Sequence, residues 1–525
     1  MLRINLNAVF KKRPKKRSTV GQIFFAFAIM GAVIVLSSSI GMAETLILKP
    51  SGLKRHLPER VLGIQGVTAF YEKIIDDPEK LGPVRNLAPA LLRFPGGTVA
   101  NYYNWRKGQL EIPVFPDSSR YTQIMSRIAR GIRYLHPGGV SMDDFNEFSR
   151  KVGAEIVLVP NLETSSLADQ IAWFKHMKSK GIVPRHIELG NEFWVAMVGD
   201  PNVIRKFPDA STAMKIMEKF VKAIRPYLPD DALIAAQGAG TEFGTDQDGA
   251  GSNFLMKRMR KWDEEMTSQP WFDALTVHLY PEADLILGLG ASRDWPDNAE
   301  KLFPAMMARA DQGTQRVLDS MVKRFPGKEI WVTEWNPNGV RFFFQKQDVG
   351  FSGLAIHTTA RMILSFLRCP AFTVSTYHML GYKGDPYSVF APDEEGGFIP
   401  SGPAVVLRWF NEAANGGVTY QRLEVEGAVR IQGQGLMPDE SYLDVEAASF
   451  TRGKKTTIII HNAGNIGKKC DLSKLANGKL PSRIETFTTP DLTRDFSKGV
   501  PKTSLIIAGE KISLSAYSLT RLVWE

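Results

Sequence analysis

The sequence predicts an α/β protein: a (β/α)₈ TIM barrel followed by an all-β sandwich domain. Eight short apolar runs alternate with helical segments from about residue 60 to residue 410, and short alternating segments replace this pattern after Asn411. Strands that alternate with helices form parallel βαβ units, and eight repeats over about 350 residues fit a barrel. A doubly wound open sheet usually shows a glycine-rich turn after its first strand, and no G-x-G-x-x-G follows the first apolar run. The barrel is therefore preferred over residues 59–411.

The expected barrel strands are short apolar runs, and the segments between them have helical periodicity. The eight runs are Val61–Gly66, Leu91–Phe94, Glu155–Pro160, His186–Leu189, Leu233–Gln237, Ala274–Leu279, Ile330–Thr333 and Ala371–Tyr377. The clearest helical segments are Met142–Val152, Leu167–Lys180, Ala213–Leu228, Ala305–Phe325 and Leu354–Leu367.

The segment 412–525 is expected to form the β-sandwich, because alternating runs there are separated by turn residues such as Asn477-Gly478. The runs are Val418–Val425, Tyr442–Phe450, Thr456–His461, Ser482–Phe487, Ser504–Ile507 and Ile512–Leu522. An isolated strand at Thr45–Lys49 precedes the barrel, and residues 44–58 are expected to join the sandwich.

The positive charge of the chain is concentrated at its amino terminus. Seven basic residues lie in the first 17 positions, and residues 1–43 contain no acidic residue. Removing those seven from a formal net charge of +10 leaves +3. That excess is too small for an electrostatic footprint on phosphates, so no nucleic-acid partner is expected.

The amino-terminal segment is typical of a secretory signal peptide spanning residues 1–43. The basic stretch is followed by an apolar run, Ile23–Leu36, then by serines and the small-residue site Gly41-Met42-Ala43. The apolar run is short of the ~20 residues that span a bilayer, which favours cleavage over an uncleaved anchor. A secreted or periplasmic protein is expected, with membrane contact only through this segment if it is retained. The two cysteines, Cys369 and Cys470, do not form a disulfide framework, and neither their pairing nor the oligomeric state follows from the sequence.

Active sites of such barrels lie at the carboxyl ends of the strands. Polar residues stand there at Glu192, in Gly190-Asn191-Glu192, and at Glu334, in Thr333-Glu334-Trp335. The pair His278 and Tyr280 ends the sixth run. Two carboxylates that enter one cleft from opposite strands are what glycosidic cleavage requires, because one protonates the leaving oxygen and the other attacks or activates water.

At these residues the sequence resembles the glycoside hydrolase clan A superfamily, whose acid/base follows an Asn after strand four and whose nucleophile ends strand seven. The run Leu92-Arg93-Phe94-Pro95-Gly96-Gly97 narrows the likeness to family 51 α-L-arabinofuranosidases, with kinship to families 39, 44 and 79. The resemblance spans nearly the whole chain after the signal segment, as scattered motifs in matching order.

The resemblance implies a retaining glycoside hydrolase with Glu192 as acid/base and Glu334 as nucleophile. It also implies that Arg93 lies beneath the nucleophile and keeps it ionised, that Tyr280 donates to it, and that Asn191 holds a sugar hydroxyl. The expected substrate-binding residues are Arg93, Asn191, His278, Tyr280, Trp194 and Trp335. Thr98 stands where the family usually has an Asn, and on strand eight Tyr377 and His378 stand in place of the family's usual amide contact. The identity of the sugar therefore does not follow from the resemblance.

Other interpretations of these residues remain. A single Glu is more often a solvated loop residue, and Trp194, Trp335 and Tyr382 are either sugar platforms or packing residues. The alternative for His278 is a structural histidine that is buried in the core with its ring nitrogens hydrogen-bonded. No role is assigned to Glu188. No metal or cofactor is expected, because the eight histidines are scattered and no H-E-x-x-H occurs. A non-catalytic carbohydrate-binding protein and a transglycosylating envelope enzyme are the alternatives to a hydrolase; the partner expected in each case is a carbohydrate.

Overall fold

The computed structural model covers most of the chain after the amino-terminal segment. The described residues are 45–113, 120–195, 201–240, 254–281, 295–337, 349–382, 385, 387–433, 439–475, 479–500, 503–505 and 509–525. The signal peptide predicted for residues 1–43 lies outside them. Among the described helices, none combines the length and the apolar character that a membrane crossing requires.

Eight parallel strands close into a barrel in the order in which they occur along the chain. An amino-terminal strand, β1 (Thr45–His56), precedes them and belongs to the second domain. The barrel strands are β2 (Leu62–Gln65), β3 (Leu91–Phe94), β6 (Glu155–Leu158), β7 (His186–Glu188), β8 (Leu233–Gln237), β9 (Ala274–Leu279), β10 (Glu329–Trp335) and β11 (Phe372–Tyr377). The eight-stranded barrel predicted from the sequence is confirmed, strand by strand.

Helices lie in the segments that follow the barrel strands. They are α1 (Thr68–Tyr71), α2 (Pro78–Asn86), α3 (Arg120–Leu135), α4 (Met142–Val152), α5 (Leu167–Ser179), α6 (Pro201–Lys206), α7 (Ala210–Ile224), α8 (Phe254–Met266), α9 (Ala299–Ala308), α10 (Thr314–Arg324), α11 (Gly353–Arg368) and α12 (Gly402–Ala414). Local sequence sets their ends: the hydroxyl oxygen of Ser141 accepts from the amide of Asp144 at the start of α4, and Gly153 ends it in the left-handed conformation.

Two boundaries differ from the sequence prediction. The single helix expected over Ala305–Phe325 is interrupted by a π-helical turn, Arg309–Gly313, where Arg309 donates to Glu440 of the second domain. A side chain at Gly313 would meet that carboxylate, so the turn allows the two domains to approach closely. The last barrel helix continues to Ala414, three residues beyond the predicted boundary at Asn411.

The second domain is β-rich, as predicted, and is built on a nine-stranded sheet. Besides β1, its strands are β14 (Thr419–Glu426), β17 (Val445–Arg452), β18 (Lys455–Asn462), β19 (Lys468–Asp471), β20 (Arg483–Thr488), β21 (Ser504–Leu505), β22 (Lys511–Leu514) and β23 (Ser518–Trp524). Their order across the sheet is β21-β20-β23-β18-β17-β14-β1-β19-β22. Cys470 and Ile512 near one end of the sheet share an apolar core with Ile484 and Leu522 near the other end. The sheet therefore folds over a common core.

Three two-stranded hairpins complete the fold: β4 (Tyr103–Asn104) with β5 (Gln109–Leu110), β12 (Phe390–Pro392) with β13 (Phe398–Pro400), and β15 (Arg430–Gln432) with β16 (Ser441–Leu443). The two cysteines, Cys369 and Cys470, are both buried and unpaired.

A buried ion-pair network fixes the second domain to the barrel. Arg361 and Arg368 of α11 both pair with Glu446 of β17, and both also pair with Asp311 in the π turn. All four side chains are at least nine-tenths buried. Removing one member of such a buried network leaves an uncompensated charge, so the network favours this docking of the two domains.

Candidate active site

The polar residues predicted from the sequence converge at the carboxyl ends of the barrel strands. Arg93 is on β3, Glu188 is on β7, and Glu334 is on β10. A register shift between Val332 and Glu334 on β10 indicates a β-bulge. Thr333 and Glu334 consequently both face the barrel interior, where Thr333 donates to Glu188.

Arg93 organises the floor of the site. Its Nε and Nη2 donate to the two oxygens of Glu188 at 2.7 and 2.8 Å, and Nη2 also donates to Oδ1 of Asn191 at 2.9 Å. Its Nη1 donates to Oε2 of Glu334 at 3.1 Å. Arg93 and Glu188 have fully buried side chains, which makes this bidentate pair the rigid base on which the cleft residues stand.

The carboxylate of Glu334 accepts hydrogen bonds at both oxygens. Oε2 accepts from Arg93 and from Nε2 of Gln65, each at 3.1 Å, and Oε1 accepts from the hydroxyl of Tyr280 at 2.7 Å. Burial alone raises the pKa of Glu334, but the charges of His378, His278 and Arg93 and the Tyr280 hydrogen bond more than reverse this, so the pKa lies below its usual value. Glu334 is therefore a carboxylate at neutral pH.

The Tyr280 hydroxyl keeps its proton, and so remains a hydrogen-bond donor, at neutral pH and well above it. Burial, followed by the neighbouring charge of Glu334, raises the pKa of its hydroxyl well above 10. A neutral donor of this kind orients a carboxylate without neutralising it.

Glu192 follows β7 in a conformation that non-glycine residues rarely adopt. Its φ is +51°, in the left-handed region, and the preceding turn contains Gly190 at φ +73°. A side chain at Gly190 would collide with the Phe193 ring, so the turn requires glycine. Such backbone outliers are often found at functional sites. The Glu192 side chain is 28% exposed, compared with 12% for Glu334, and is the more accessible of the two carboxyl groups.

His278 lies between three carboxylates. Its Nδ1 is 2.7 Å from Oε1 of Glu192 and 4.0 Å from Oε2 of Glu334, and its Nε2 is 3.7 Å from Oε1 of Glu188. Burial lowers the pKa of His278, but Glu334, Glu188 and Glu192 outweigh this and raise it to about 10. The ring thus carries positive charge into the site at neutral pH.

The eighth strand brings His378 to the Glu334 side of the cleft. Its Nδ1 is 3.7 Å from Oε1 of Glu334, and its ring packs edge-on against Tyr387. Burial lowers the pKa of His378 and is not outweighed by the charge of Glu334, whereas the net shift of the His278 pKa is upward. The side chain of Asn336 donates to the backbone carbonyls of His378 and Tyr387, which holds this loop against β10.

Sequence reasoning missed three residues of the site. Glu188, to which no role was assigned, is the principal partner of Arg93. Gln65 donates to Glu334, as described above. Asn101 accepts from the backbone amide of Asn191 at 3.1 Å and donates to its carbonyl at 2.9 Å, which fixes the turn that carries Glu192.

The predicted aromatic platforms have different surroundings. Trp335 is 1% exposed, its indole NH donates to Ser375, and its ring packs against Phe366 and Tyr377. The expectation that Trp335 contacts the substrate is therefore wrong, because its side chain points away from the cleft. Trp194 is half-buried against the barrel core, and its role as a platform stays a prediction.

One trio among the described residues could offer three ligands to a metal: one atom each of Glu192, His278 and Glu334 lie within 4.8 Å of one another. The ligand atoms are already engaged within the protein: Nδ1 of His278 lies 2.7 Å from Glu192, and Glu334 accepts from Arg93, Gln65 and Tyr280. The trio is suited to proton transfer beside an ionised carboxylate.

A polar cavity of about 430 Å³ adjoins the site. It is lined by residues of the loops that follow β3 and β6, among them Tyr102, Asn104, Glu111, Thr164 and Asp169. It is connected to the turn that carries Glu192 through Asn101, whose carbonyl accepts from Thr164. Hydroxyl, amide and carboxylate groups of this kind suit a polyhydroxylated ligand.

A barrel followed by a β-rich domain is a fold that this chain shares with solved structures of glycoside hydrolases. No family model matches the sequence, and no curated protein matches it. Several solved structures share the fold at low sequence identity.

A family 51 arabinofuranosidase from Xanthomonas axonopodis pv. citri is similar at a TM-score of 0.62 and 14% identity, over 92% of this chain and 100% of that one. A family 51 α-L-arabinofuranosidase from Bifidobacterium longum is similar at a TM-score of 0.62 and 13% identity, over 92% of this chain and 98% of that one. A family 44 xyloglucanase from Paenibacillus polymyxa is similar at a TM-score of 0.57 and 12% identity, over 92% of this chain and 99% of that one. At this identity the similarity shows a shared fold.

Proposed function

We propose that this protein is a retaining glycoside hydrolase that acts by double displacement, with Glu334 as nucleophile and Glu192 as acid/base. One observation carries the proposal. An oxygen of Glu192 lies within 4.8 Å of an oxygen of Glu334, and the two side chains enter the cleft from opposite sides of the barrel. Retaining enzymes hold their carboxyl groups ~5–5.5 Å apart, whereas inverting enzymes need ~6.5–9.5 Å to admit a water molecule.

In the first step Glu334 attacks the anomeric carbon while Glu192 gives its proton to the leaving oxygen. The bond between the anomeric carbon and the leaving oxygen breaks, and an ester forms between the sugar and Glu334. Arg93, Gln65 and Tyr280 hold the attacking carboxylate in place. The site thus supplies an ionised nucleophile whose orientation is already fixed in the free enzyme.

In the second step the Glu192 carboxylate takes a proton from water, and the resulting hydroxide displaces Glu334 from the anomeric carbon. Both carboxyl groups return to their starting states. Asn191 is assigned to the sugar 2-hydroxyl: its Oδ1 is engaged by Arg93, while its Nδ2 makes no hydrogen bond to any described residue and remains free to donate.

The first substrates to try are arabinofuranosides, because the similar enzymes from Xanthomonas and Bifidobacterium are arabinofuranosidases. The polar cavity beside the site favours oligosaccharides over single glycosides. The amino-terminal sequence supports export, and amino-terminal sequencing of the mature protein should find Glu44 first.

A panel of aryl glycosides tests this proposal: arabinofuranoside, xyloside, glucuronide, glucoside and galactoside. We expect the wild type to turn over at least one member of the panel and Glu334→Ala to turn over none. Glu192→Ala should retain activity only on substrates with activated leaving groups, which need no proton to depart. Glu300→Ala, a substitution on α9 outside the barrel cleft, serves as the control. If the wild type binds oligosaccharides but cleaves no member of the panel and no natural glycan, the protein is a carbohydrate-binding module and the proposal fails.

A further inference from the structure

Helix α3 has an unusual charge composition for this chain. Its sixteen residues contain four arginines and no aspartate, glutamate or lysine. The helix thus carries more positive charge than the net +3 of the whole chain after residue 43. The positive excess outside the amino-terminal segment is concentrated on this single element.

The arginines form one row on the outer surface. Arg127, Arg130 and Arg133 are all exposed, and within the described part of the chain none of them forms a salt bridge. Successive arginines are three residues apart, which corresponds to about 4.5 Å along the helix axis. Tyr134 beside them is 89% exposed and Ile124 is 44% exposed, so the row includes an aromatic ring on which a sugar can pack.

The inner face of the helix is already occupied. Met125, Ala129 and Ile132 are buried in the barrel core, as an amphipathic surface helix requires. A helix that binds membranes inserts its apolar face into the lipid, and here that face is unavailable to a bilayer because the protein covers it. The outer arginine row therefore fits a hydrated polyanion better than a lipid surface.

The row lies at the catalytic end of the barrel. The hairpin β4–β5 follows the carboxyl end of β3 and is joined to the segment after α3, because Val140 donates to Gly108 and Tyr103 donates to Val140. The same hairpin begins two residues after Asn101, which fixes the Glu192 turn. A polymer held on the row can therefore extend toward the cleft.

We propose that Arg127, Arg130, Arg133 and Tyr134 form a docking surface for an acidic, uronate-bearing polysaccharide. Guanidinium groups pair bidentately with carboxylates, and a chain with a carboxylate on each sugar offers charges at regular short intervals to a row of this kind. This inference uses the proposed function only to explain why a glycan is present. The binding itself does not depend on catalysis.

The test is direct binding of the full-length protein to polygalacturonate, with methyl-esterified polygalacturonate as the uncharged counterpart. The variant R127Q/R130Q/R133Q keeps helix propensity, because Gln and Arg are similar in helices. The matched control is K215Q/K219Q/K222Q, which removes three exposed charges from α7. Thermal unfolding checks that both variants fold.

We expect wild type to bind the acidic polymer at low salt, to bind the ester at least tenfold more weakly, and to lose binding steeply as salt rises. The arginine variant should lose at least tenfold in affinity and most of the salt dependence, while the α7 control stays within twofold. Equal binding by wild type and the arginine variant overturns the proposal, as does an equal loss in the α7 control. Tighter binding to phosphatidylglycerol vesicles than to the polymer also overturns it. Turnover of small aryl glycosides should be unchanged in both variants, which separates this inference from the proposed catalysis.

Discussion

Nδ1 of His278 lies 2.7 Å from Oε1 of Glu192. A proton in this hydrogen bond can reside on either partner, as an imidazolium facing a carboxylate or as a carboxylic acid facing a neutral imidazole. The two forms contain the same number of protons. The pair therefore keeps a proton beside Glu192, the proposed acid/base, while Glu334 stays ionised on the other side of the cleft.

The first prediction is that His278 makes the fold less stable as the pH rises. Its pKa is raised to about 10 by the surrounding carboxylates against the cost of burial, whereas in the unfolded chain it is near 6.5. At pH values between these two pKa values, the native state therefore holds a proton that the unfolded state has lost. The free energy of unfolding should fall there by up to about 1.4 kcal/mol per pH unit, and below pH ~6.5 the contribution is fully present.

Urea unfolding of wild type and His278→Gln, near pH 6 and near pH 9, measures this contribution. The difference in stability between the two proteins should be largest near pH 6 and should shrink toward pH 9. A difference that stays constant with pH would show that His278 is neutral in the native state.

The second prediction concerns the hydrogen-bond donor to Glu334, the proposed nucleophile. Tyr280→Phe keeps the ring but removes the hydroxyl that donates to Glu334 at 2.7 Å. A hydrogen bond to a charged group contributes about 1.5–3 kcal/mol, which corresponds to roughly ten- to hundredfold in kcat/KM. Without that donor the pKa of Glu334 should rise, so the acid limb of the pH–rate profile should move to higher pH. Tyr227→Phe, which changes a hydroxyl away from the cleft, should leave both quantities unchanged.

The third prediction is that Arg93 and Glu188 stabilise the fold only as a pair. Both side chains are fully buried, so Arg93→Met leaves the Glu188 carboxylate in the barrel without its partner. Breaking such a pair costs about 3–5 kcal/mol, and replacing both members by apolar residues recovers much of it. The double variant Arg93→Met, Glu188→Leu should therefore be more stable to urea than Arg93→Met alone. Additive losses in the double-mutant cycle would contradict a coupled pair.

The barrel could be predicted because each strand is a local signal. Runs such as Leu91–Phe94 and Leu233–Gln237 have the same bounds in the structure as in the sequence pattern. Glu192 and Glu334 could be singled out because each stands in a motif at a strand end. Gln65 and Glu188 could not, because their roles depend on partners from other strands: Arg93 is 95 residues from Glu188.

Trp335 shows where a simple rule would have improved the prediction. Successive residues of a strand point to opposite sides, so a residue that follows an inward-facing Glu334 should face outward. The structure places Trp335 against Phe366 of α11, on the helical side of the strand. The bulge that also turns Thr333 inward is a feature of strand pairing, and a single sequence does not reveal it.

The most direct test of the central claim is the stereochemistry of azide rescue, measured by nuclear magnetic resonance of the product. With an activated aryl glycoside and added azide, Glu192→Ala should form a glycosyl azide of retained configuration, because Glu334 still makes the covalent intermediate and azide replaces water in the second step. Glu334→Ala should form only the inverted azide, because azide then replaces the missing nucleophile. If the two variants exchange these outcomes, the roles of the two glutamates are reversed; if both variants retain full activity without azide, neither residue is catalytic.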